Sequence, residues 1–419
     1  MKLTIYRPNQ IGGCITEIES VKGARIIIDV GKELPGNESG EVVNVKELSK
    51  GCSGVFVTHY HGDHIGEFDD VDGGTPIYMG KIAHEIFLNL QETLHKKNVD
   101  AVKAFKTFQS RDRIEAGDMI VTPYRVDHSA YDSYMFLIEC DGKRVLHTGD
   151  FRMHGWSGNC VEAMLKKYIK GKKVDALICE GTMLARNDSE RLTEFGLYKK
   201  AKKLLRENKS VFVLCSSTNI DTIASFYRAA TELDKWVFAD GYQRSNLDIV
   251  SANANCDLYC FPYVTIYQPG RQKCIDRMSD EKGFCMFVRH GGKYGKICKS
   301  VMKEFSDNLF IYSMWDGYLE DGTRNNDIYS FVPREHEYLH TSGHAYEEAI
   351  LRLCEIVEPG IVFPIHSDKP GRLETLRKYG KIKCEVQRLQ SRKSVEIAAY
   401  KLNMMYPASK SRAKVPELF

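Results

Sequence analysis

Short apolar runs, separated by glycine and charged residues, dominate the first third of the chain. Four of them, with the letters KLTIYRP, CITEIES, ARIIIDVG and GVFVTH, are rich in β-branched residues and predict β-strands. Further strands are predicted in MIVTPYRVDH, YMFLIEC, KRVLHTGDF and VDALICEGT. Between these two sets, the run GKIAHEIFLNLQETLHKK at positions 80–97 has the spacing of an amphipathic helix.

The pattern changes near residue 188. The run SERLTEFGLYKKAKKLLREN is amphipathic, and it is followed by the apolar run SVFVLCSS and another helical pattern. This alternation predicts α/β units and a second domain. Near residue 345 the helical pattern YEEAILRLCEIVEPG leads into the predicted strand IVFPIHSD, so that a histidine again follows a strand directly.

Length and charge bound the class of protein. A chain of 419 residues is long enough for two or three domains with a buried core. The 59 Lys and Arg residues exceed the 56 Asp and Glu residues by only three, which argues against a basic surface throughout but leaves room for a local basic groove. Neither a signal-peptide pattern nor an apolar run of the ~20 residues that a membrane span needs is present. We therefore expect a soluble cytoplasmic protein.

The thirteen cysteines fit a reducing compartment, because their number is odd and their spacing is irregular. Cys256 and Cys260 form a close pair with a spacing that occurs in zinc sites. Neither a second pair nor a nearby histidine completes four ligands in the sequence. We interpret both as structural thiols.

The stretch FVTHYHGDHIGEF places three histidines and an aspartate within six residues, directly after an apolar run. Because His59, His61, Asp63 and His64 cannot share one face of a strand or helix, we predict a tight turn at Gly62. Such a turn directs the first two side chains at one metal ion and the last two at another. A mononuclear or purely structural site is the alternative.

Coordinating residues also follow three later strands. His128 ends VTPYRVDH, Asp150 ends RVLHTGD and His366 ends IVFPIH. Each of them alone has an alternative role as a turn former or cap, but together they complete two coordination shells. We expect Asp150 to bridge the two ions and Asp29 to orient a ligand histidine from outside. The donor set favours two Zn²⁺ ions, with Mn²⁺ as the alternative.

These segments, THYHGDHIG with Asp29, His128, HTGDF and PIH, resemble the metallo-β-lactamase superfamily. The resemblance implies a four-layer αββα sandwich with the metal ions at one edge of the sheets. It also implies a hydrolase, because the oxygen-reducing relatives carry glutamate where this chain has His61.

Other segments resemble the β-CASP nucleases, and RNase J-type enzymes in particular. LICEGT, HTSGHA and PIH place Glu180, His344 and His366 at the three marker positions of that family. The resemblance implies an α/β protein in which a metallo-β-lactamase αββα sandwich carries an inserted α/β β-CASP domain. The expected parts are the first part of the sandwich at 1–185, the inserted domain at 186–340, the closing part of the sandwich at 341–405 and a basic tail at 406–419.

The SGH turn also has a chemical rationale of its own. Because it precedes a predicted helix, Ser342, the Gly343 amide and His344 can gather around a phosphate at the positive helix end. In the implied reaction a metal-bridged hydroxide attacks a phosphodiester, His344 protonates the departing oxygen, and Asp63 orients the hydroxide or accepts its proton. We expect Asp63, Glu180 and His344 to be catalytic. The alternatives are that His344 caps its helix and that Glu180 only bonds nearby amides.

The resemblance favours RNA as the substrate, because RNA-cleaving β-CASP enzymes carry histidine where this chain has His366. It implies single-stranded RNA in the cleft between the two domains, with cleavage internal, from the 5′ end, or both. Candidate RNA-binding residues are Arg289 and Lys293, with His290 and Lys296, in FVRHGGKYGKICKS. A solvated loop is the alternative for that segment.

Three other functions stay open on sequence alone: a DNA nuclease of the same fold, a hydrolase of a small ester or thioester, and a non-catalytic RNA-binding platform. Glu180, His344 and the inserted segment argue against the small-substrate hydrolase, and the complete ligand set argues against the platform. A homodimer also stays open. RNase J enzymes usually continue into a C-terminal domain that helps them dimerise, whereas this chain stops soon after the last predicted lactamase strands.

Overall fold

The computed structural model describes residues 1–34, 40–95, 97–186, 191–305, 308–319 and 326–398. The strands in these ranges are β1 Lys2–Tyr6, β2 Ile15–Glu19, β3 Arg25–Ile28, β4 Gly54–Phe56, β5 Ile77–Gly80, β6 Lys106–Phe108, β7 Ile114–Ala116, β8 Met119–Val126, β9 Ser133–Cys140, β10 Lys143–His147, β11 Ala176–Glu180, β12 Ser210–Leu214, β13 Trp236–Ala239, β14 Val264–Ile266, β15 Phe284–Val288, β16 Asn308–Tyr312, β17 Glu337–Tyr338, β18 Ile361–Ile365, β19 Glu385–Val386 and β20 Val395–Glu396.

The α-helices of the same ranges are α1 Val45–Ser49, α2 Gly62–Ile65, α3 Lys81–Leu90, α4 Val99–Lys103, α5 Gly158–Tyr168, α6 Glu194–Glu207, α7 Ile220–Thr231, α8 Gly241–Asn253, α9 Gln272–Ser279, α10 Gly292–Glu304, α11 Asn326–Phe331, α12 Glu347–Val357 and α13 Gly371–Lys378. The helix predicted at positions 80–97 is therefore confirmed as α3, which continues into the π-helical turn Gln91–His95. None of the described helices is both long and apolar enough to cross a membrane.

Two seven-stranded sheets face each other across an apolar core. Their strand orders are β20-β1-β2-β3-β4-β5-β6 and β19-β18-β11-β10-β9-β8-β7. Phe56 of the first sheet and Phe136 and Phe363 of the second are fully or almost fully buried in the core between them. Helix α3 covers the outer face of the first sheet through Ile86, and helix α5 covers that of the second through Leu165. The predicted αββα sandwich is confirmed.

A third sheet lies wholly between residues 210 and 338. Its six strands are parallel, in the order β14-β13-β15-β12-β16-β17. Helices cover both of its faces, as an all-parallel sheet requires: α7 packs on one face, and α9 and α10 pack on the other. This is the α/β alternation expected of an inserted domain.

The chain returns to the sandwich after this third sheet. Strand β18 pairs with β11 of the second sheet, and β20 pairs with β1 of the first. We therefore propose that residues 186–340 form a separate domain and that 341–405 close the sandwich. The last seven residues of that closing part, and the predicted basic tail at 406–419, lie outside the described residues.

The sheet topology brings the predicted ligands to one edge of the sandwich. Strands β3 and β4 are parallel in the first sheet, and β10, β11 and β18 are parallel in the second. Strand β8 runs in the same direction as β10, because both are antiparallel to β9. The carboxyl ends of these six strands are followed or formed by Asp29, His59, His128, Asp150, Glu180 and His366.

Candidate metal centre

The motif THYHGDHIG ends in a short helix where a tight turn was predicted. Gly62 is the first residue of α2, and His61 precedes this helix with an extended backbone, φ −68° and ψ 147°. The prediction that Gly62 forms a tight turn was therefore wrong in detail. The change from extended to helical backbone at this point separates His59 and His61 from Asp63 and His64.

Three imidazoles form a first group of candidate ligands. His59 Nε2 lies 3.1 Å from His61 Nδ1, which lies 3.3 Å from His128 Nε2. Asp150 Oδ2 is 3.7 Å from His59 Nε2 and 3.9 Å from His128 Nε2. These four atoms therefore surround one position that an ion can fill, with three nitrogens and one oxygen.

A second group shares the same carboxylate. Asp150 Oδ2 lies 3.1 Å from His64 Nε2, which is 3.9 Å from Asp63 Oδ2. Asp63 Oδ2 in turn lies 3.1 Å from His366 Nε2. The same oxygen of Asp150 therefore faces both groups. Its role as a carboxylate shared by two ions stays a prediction.

Hydrogen bonds fix the orientation of the ligand imidazoles. Asp29 Oδ2 lies 2.8 Å from His64 Nδ1, so the ring directs Nε2 at Asp150. Thr182 Oγ1 lies 2.6 Å from His366 Nδ1, and Thr58 Oγ1 lies 3.0 Å from His59 Nδ1. Partners of this kind set the tautomer and the direction of a metal ligand. The two threonines were missed in the sequence, although each lies in a motif that it brings out, THYH and EGT.

The backbone at two of these positions is strained in a way that aims the side chains. Asp29 has a φ of 59° and His366 has a φ of 50°, both in the left-handed region that residues other than glycine seldom adopt. Each follows directly on the end of its strand, where the left-handed turn redirects the chain. Strain of this kind persists only where surrounding contacts hold it, and it is common at functional sites.

The first group carries neutral imidazoles. Burial lowers the pKa of His61 to about 4, and it lowers the pKa of His59 and of His128 well below the ordinary histidine value. A histidine coordinates a metal ion only in its neutral form. All three side chains are therefore in the ligand form at neutral pH.

The second group is dominated by negative charge. Burial alone would lower the pKa of His64 and of His366, but the Asp150 carboxylate raises both well above the ordinary value. Nevertheless His64 Nε2 and both carboxylate oxygens of Asp150 are buried and make no hydrogen bond of ordinary geometry among the described residues. Buried polar atoms without partners are costly. A cation would satisfy all of them, so the residues present fit a metal centre.

The marker residues Glu180 and His344 meet beside this centre. His344 Nδ1 lies 3.3 Å from Glu180 Oε2 and 3.5 Å from Asp150 Oδ2. The His344 side chain is 22% exposed, whereas that of Glu180 is fully buried. Glu180 Oε1 also accepts the amide of Ala345 at 3.0 Å. The alternative for Glu180, a carboxylate that bonds nearby amides, thus describes part of what it does, and its contact with His344 comes in addition.

The SGH loop is held in place by hydrogen bonds to its backbone atoms. Arg152 and His154 both donate to the Ser342 carbonyl, each at 2.9 Å, while the Ser342 hydroxyl accepts the His344 amide at 3.1 Å. The loop is not a helix cap through His344, because α12 begins at Glu347 with Tyr346 as its cap residue, and Tyr346 makes no side-chain cap hydrogen bond. Its position relative to the metal ligands is therefore fixed by contacts from the sandwich.

A buried cluster of charged side chains includes Arg152, which donates to the Ser342 carbonyl of this loop. The Arg152 guanidinium is fully buried and pairs with Asp127 at 2.7 Å, Glu194 at 3.2 Å and Asp221 at 2.6 Å. Asp127 precedes a ligand histidine, whereas Glu194 and Asp221 lie on helices α6 and α7 beside the third sheet. Arg152 thus links the sandwich, the inserted segment and the SGH loop. Apart from its place two residues after Asp150, nothing in the sequence marks it.

The predicted RNA-binding residues lie at the start of α10, at the end of strand β15. Arg289 Nε donates to Asp240 Oδ2 at 2.7 Å, and its guanidinium lies over the ring of Tyr242. Lys293 is exposed. The guanidinium of Arg289 is thus already engaged within the inserted segment. A role in binding RNA stays a prediction for both residues.

Comparison with known proteins agrees with this geometry. A family model described as a Beta-lactamase superfamily domain matches residues 24–207. Residues 24–207 are therefore similar to the metallo-β-lactamase superfamily. A second family model, described as a Zn-dependent metallo-hydrolase RNA specificity domain, matches residues 332–389 and so includes His344 and His366. The resemblance predicted from the motifs is confirmed.

Proteins with a similar sequence include two named Ribonuclease J. The protein from Sinorhizobium meliloti is 22% identical over 376 residues, which cover 82% of this chain and 64% of that protein. The protein from Helicobacter pylori is 20% identical over 393 residues, which cover 86% of this chain and 55% of that protein. The chain thus spans about half to two thirds of the length of these curated relatives.

A solved structure matches almost the whole chain. It is the crystal structure of a protein of unknown function from Enterococcus faecalis, with a TM-score of 0.71 and 18% sequence identity. The match covers 94% of this chain and 99% of that one. At this identity the likeness supports the fold alone.

Proposed function

We propose that this protein is a zinc-dependent ribonuclease that hydrolyses phosphodiester bonds of single-stranded RNA, internally, from the 5′ end, or both. One observation carries the proposal. The partly exposed imidazole of His344 lies beside the candidate metal centre, on a loop within the residues that the RNA specificity family model matches. His344 Nδ1 is 3.5 Å from Asp150 Oδ2, and its side chain is 22% exposed. The model of a Zn-dependent metallo-hydrolase RNA specificity domain covers this loop, and two proteins of similar sequence are named Ribonuclease J.

Two zinc ions, when bound, would supply an activated water and neutralise charge on the phosphate oxygens. The residues that would hold them are His59, His61 and His128 on one side, Asp63, His64 and His366 on the other, and Asp150 between them. Mn²⁺ is the alternative ion. Three neutral nitrogens in the first group and two carboxylates in the second support a pair of divalent cations.

The chain's own residues would handle the protons. His344 would donate a proton to the departing oxygen, because its side chain is 22% exposed and its Nδ1 lies 3.5 Å from Asp150 Oδ2. Glu180 would keep that ring in place through Nδ1, which leaves Nε2 as the atom that gives up the proton. Asp63, whose side chain is 14% exposed, would accept a proton from the attacking water.

The substrate phosphate would bind against the SGH loop. Ser342 and Gly343 are proposed as phosphate contacts, together with His344, because their loop is held beside the metal ligands. Arg289 and Lys293 are proposed as further RNA contacts, on weaker support because Arg289 already pairs with Asp240. The thirteen free cysteines support a reducing compartment, and we propose a cytoplasmic location. A homodimer stays a prediction that analytical ultracentrifugation can check.

The decisive experiment incubates the purified protein with 5′-labelled single-stranded RNA, the matching DNA and a generic ester, with and without a chelator. We expect chelator-sensitive cleavage of RNA only. His344→Ala should abolish cleavage and keep its metal content, whereas His84→Ala, on helix α3, should cleave normally. Cleavage of DNA would favour the DNA nuclease, and turnover of the ester alone would favour the small-substrate hydrolase. Intact RNA at high concentrations of zinc-loaded protein would overturn the proposal.

A further inference from the structure

The side chain of Cys14 lies against the second group of metal ligands. Its sulfur, a ring nitrogen of His64 and a ring nitrogen of His366 all lie within 4.8 Å of one another. Cys14 therefore adds a sulfur donor to a group in which we have so far named only nitrogen and oxygen donors.

The backbone around Cys14 is built to hold it there. The Cys14 amide donates to the Asp63 carbonyl at 3.0 Å, and the Cys14 carbonyl accepts the Gly31 amide at 2.9 Å. A Cβ at Gly31 would lie 1.7 Å from the Asp63 carbonyl oxygen and 2.7 Å from the Cys14 nitrogen. Only glycine allows this contact, which fixes the cysteine to the residue next to His64.

A second observation points to a ligand rather than to simple packing. His64 Nε2 is buried in a side chain only 1% exposed and makes no hydrogen bond of ordinary geometry among the described residues. Donor atoms bound to one zinc ion at about 2.0–2.3 Å are at most about 4.6 Å apart. The three donor atoms lie within 4.8 Å of one another, a separation compatible with one shared ion.

We propose that the sulfur of Cys14 is a ligand to the second metal ion, beside Asp63, His64 and His366. A thiolate favours zinc over manganese, which prefers oxygen donors. The second position is then a zinc site by its chemistry, whereas the first position has nitrogen donors and the shared carboxylate. This inference rests on the proposed metal centre but not on the proposed RNA substrate.

The test is spectroscopic and needs no substrate. Protein loaded with Co²⁺ should show a sulfur-to-cobalt charge-transfer band. In the zinc form, X-ray absorption fine structure should show a sulfur atom about 2.3 Å from the zinc. Cys14→Ser should lose both signals and fall in zinc affinity by about tenfold or more, with a smaller change for manganese. Cys160→Ser, which removes an exposed thiol, should keep them. Circular dichroism and a second variant, Cys14→Ala, separate lost ligation from misfolding.

The outcomes distinguish this inference from the proposed function. Metal-loaded wild-type protein without a sulfur signal, or a Cys14→Ser variant that retains it, would overturn the inference and leave the ribonuclease proposal standing. Protein that takes up no metal would overturn both. A sulfur signal in protein that leaves RNA intact would support the ligand and overturn only the proposed substrate.

Discussion

The Nδ1 atom of His128 lies 2.6 Å from the carbonyl oxygen of Gly343, so the loop that carries His344 directly orients a candidate metal ligand. The two residues are 215 positions apart in the chain. Through this contact, any shift of the SGH loop changes the direction of His128 Nε2. We therefore expect metal binding and the placement of His344 to be coupled.

Gly343→Ala should break this coupling. An added Cβ would lie 2.5 Å from Ser129 Oγ and 3.1 Å from His128 Cε1, so the loop must move away. We expect zinc affinity to fall by about 10–100-fold, as for other lost outer partners of a ligand histidine, measured by competition with a chromophoric chelator. Gly241→Ala is the matched control, because a Cβ there meets no heavy atom within 4 Å. Unchanged zinc affinity in Gly343→Ala would contradict the coupling.

Asp29→Asn should weaken zinc binding without unfolding the protein. The carboxylate holds His64 Nδ1 at 2.8 Å and accepts the Thr58 amide at 2.8 Å, and asparagine tolerates the left-handed backbone at this position. We expect a loss of about tenfold or more in zinc affinity, measured by isothermal titration calorimetry. Asp234→Asn, at an exposed aspartate with a φ of 56°, should bind zinc like wild type.

Arg152→Met should destabilise the protein strongly. Removal of the guanidinium leaves Asp127, Glu194 and Asp221 buried together without their cation, and an uncompensated buried charge costs about 3–5 kcal/mol. Urea unfolding followed by tryptophan fluorescence measures the loss. The control, Arg388→Met, removes an ion pair with Glu374 whose side chains are 52% and 40% exposed, and it should cost about 0–1 kcal/mol. Equal losses in the two variants would argue against the buried cluster.

The sequence allowed the grouping of the candidate ligands to be predicted, because four of them come shortly after apolar strands. His59, His128, Asp150 and His366 lie one to three residues past the ends of β4, β8, β10 and β18, and the last three of these strands run in one direction within the second sheet. The position of a residue just after an apolar run thus indicated which distant residues lie close together in the fold. The helix at Gly62 was not foreseen, because four residues of helix are too few to leave a periodic pattern.

The residues that hold the candidate site in place could not be predicted from the sequence. Arg152 pairs with residues 25, 42 and 69 positions away, and two of them come from helices beside the third sheet. Cys14 follows two glycines outside any strand, and backbone hydrogen bonds with Asp63 and Gly31 hold it beside the second group of candidate ligands. Such partners depend on how the sheets pack together, which no spacing within a single segment encodes.

The same cluster predicts a pH dependence of stability. Burial raises the pKa of Glu194 to about 7, against the opposing effect of Arg152. A carboxyl whose pKa is higher in the folded than in the unfolded protein contributes stability that is fully present below the unfolded value, ordinarily about 4.3, and is lost as the pH rises through about 7. Wild-type protein should therefore lose this contribution between about pH 4 and pH 7.

Glu194→Gln isolates that contribution, because glutamine resembles the neutral form of the side chain and does not titrate. We expect the melting temperature of the variant minus that of wild type to rise from about pH 4 to about pH 7 and then to level off, measured by differential scanning fluorimetry in matched buffers. The subtraction removes the titration of the metal ligands, which both proteins share. Glu207→Gln, at the exposed far end of the same helix, should show no trend. A difference for Glu194→Gln that stays flat or falls with pH would show that Glu194 is ionised in the cluster throughout this range, with Arg152 outweighing the cost of burial.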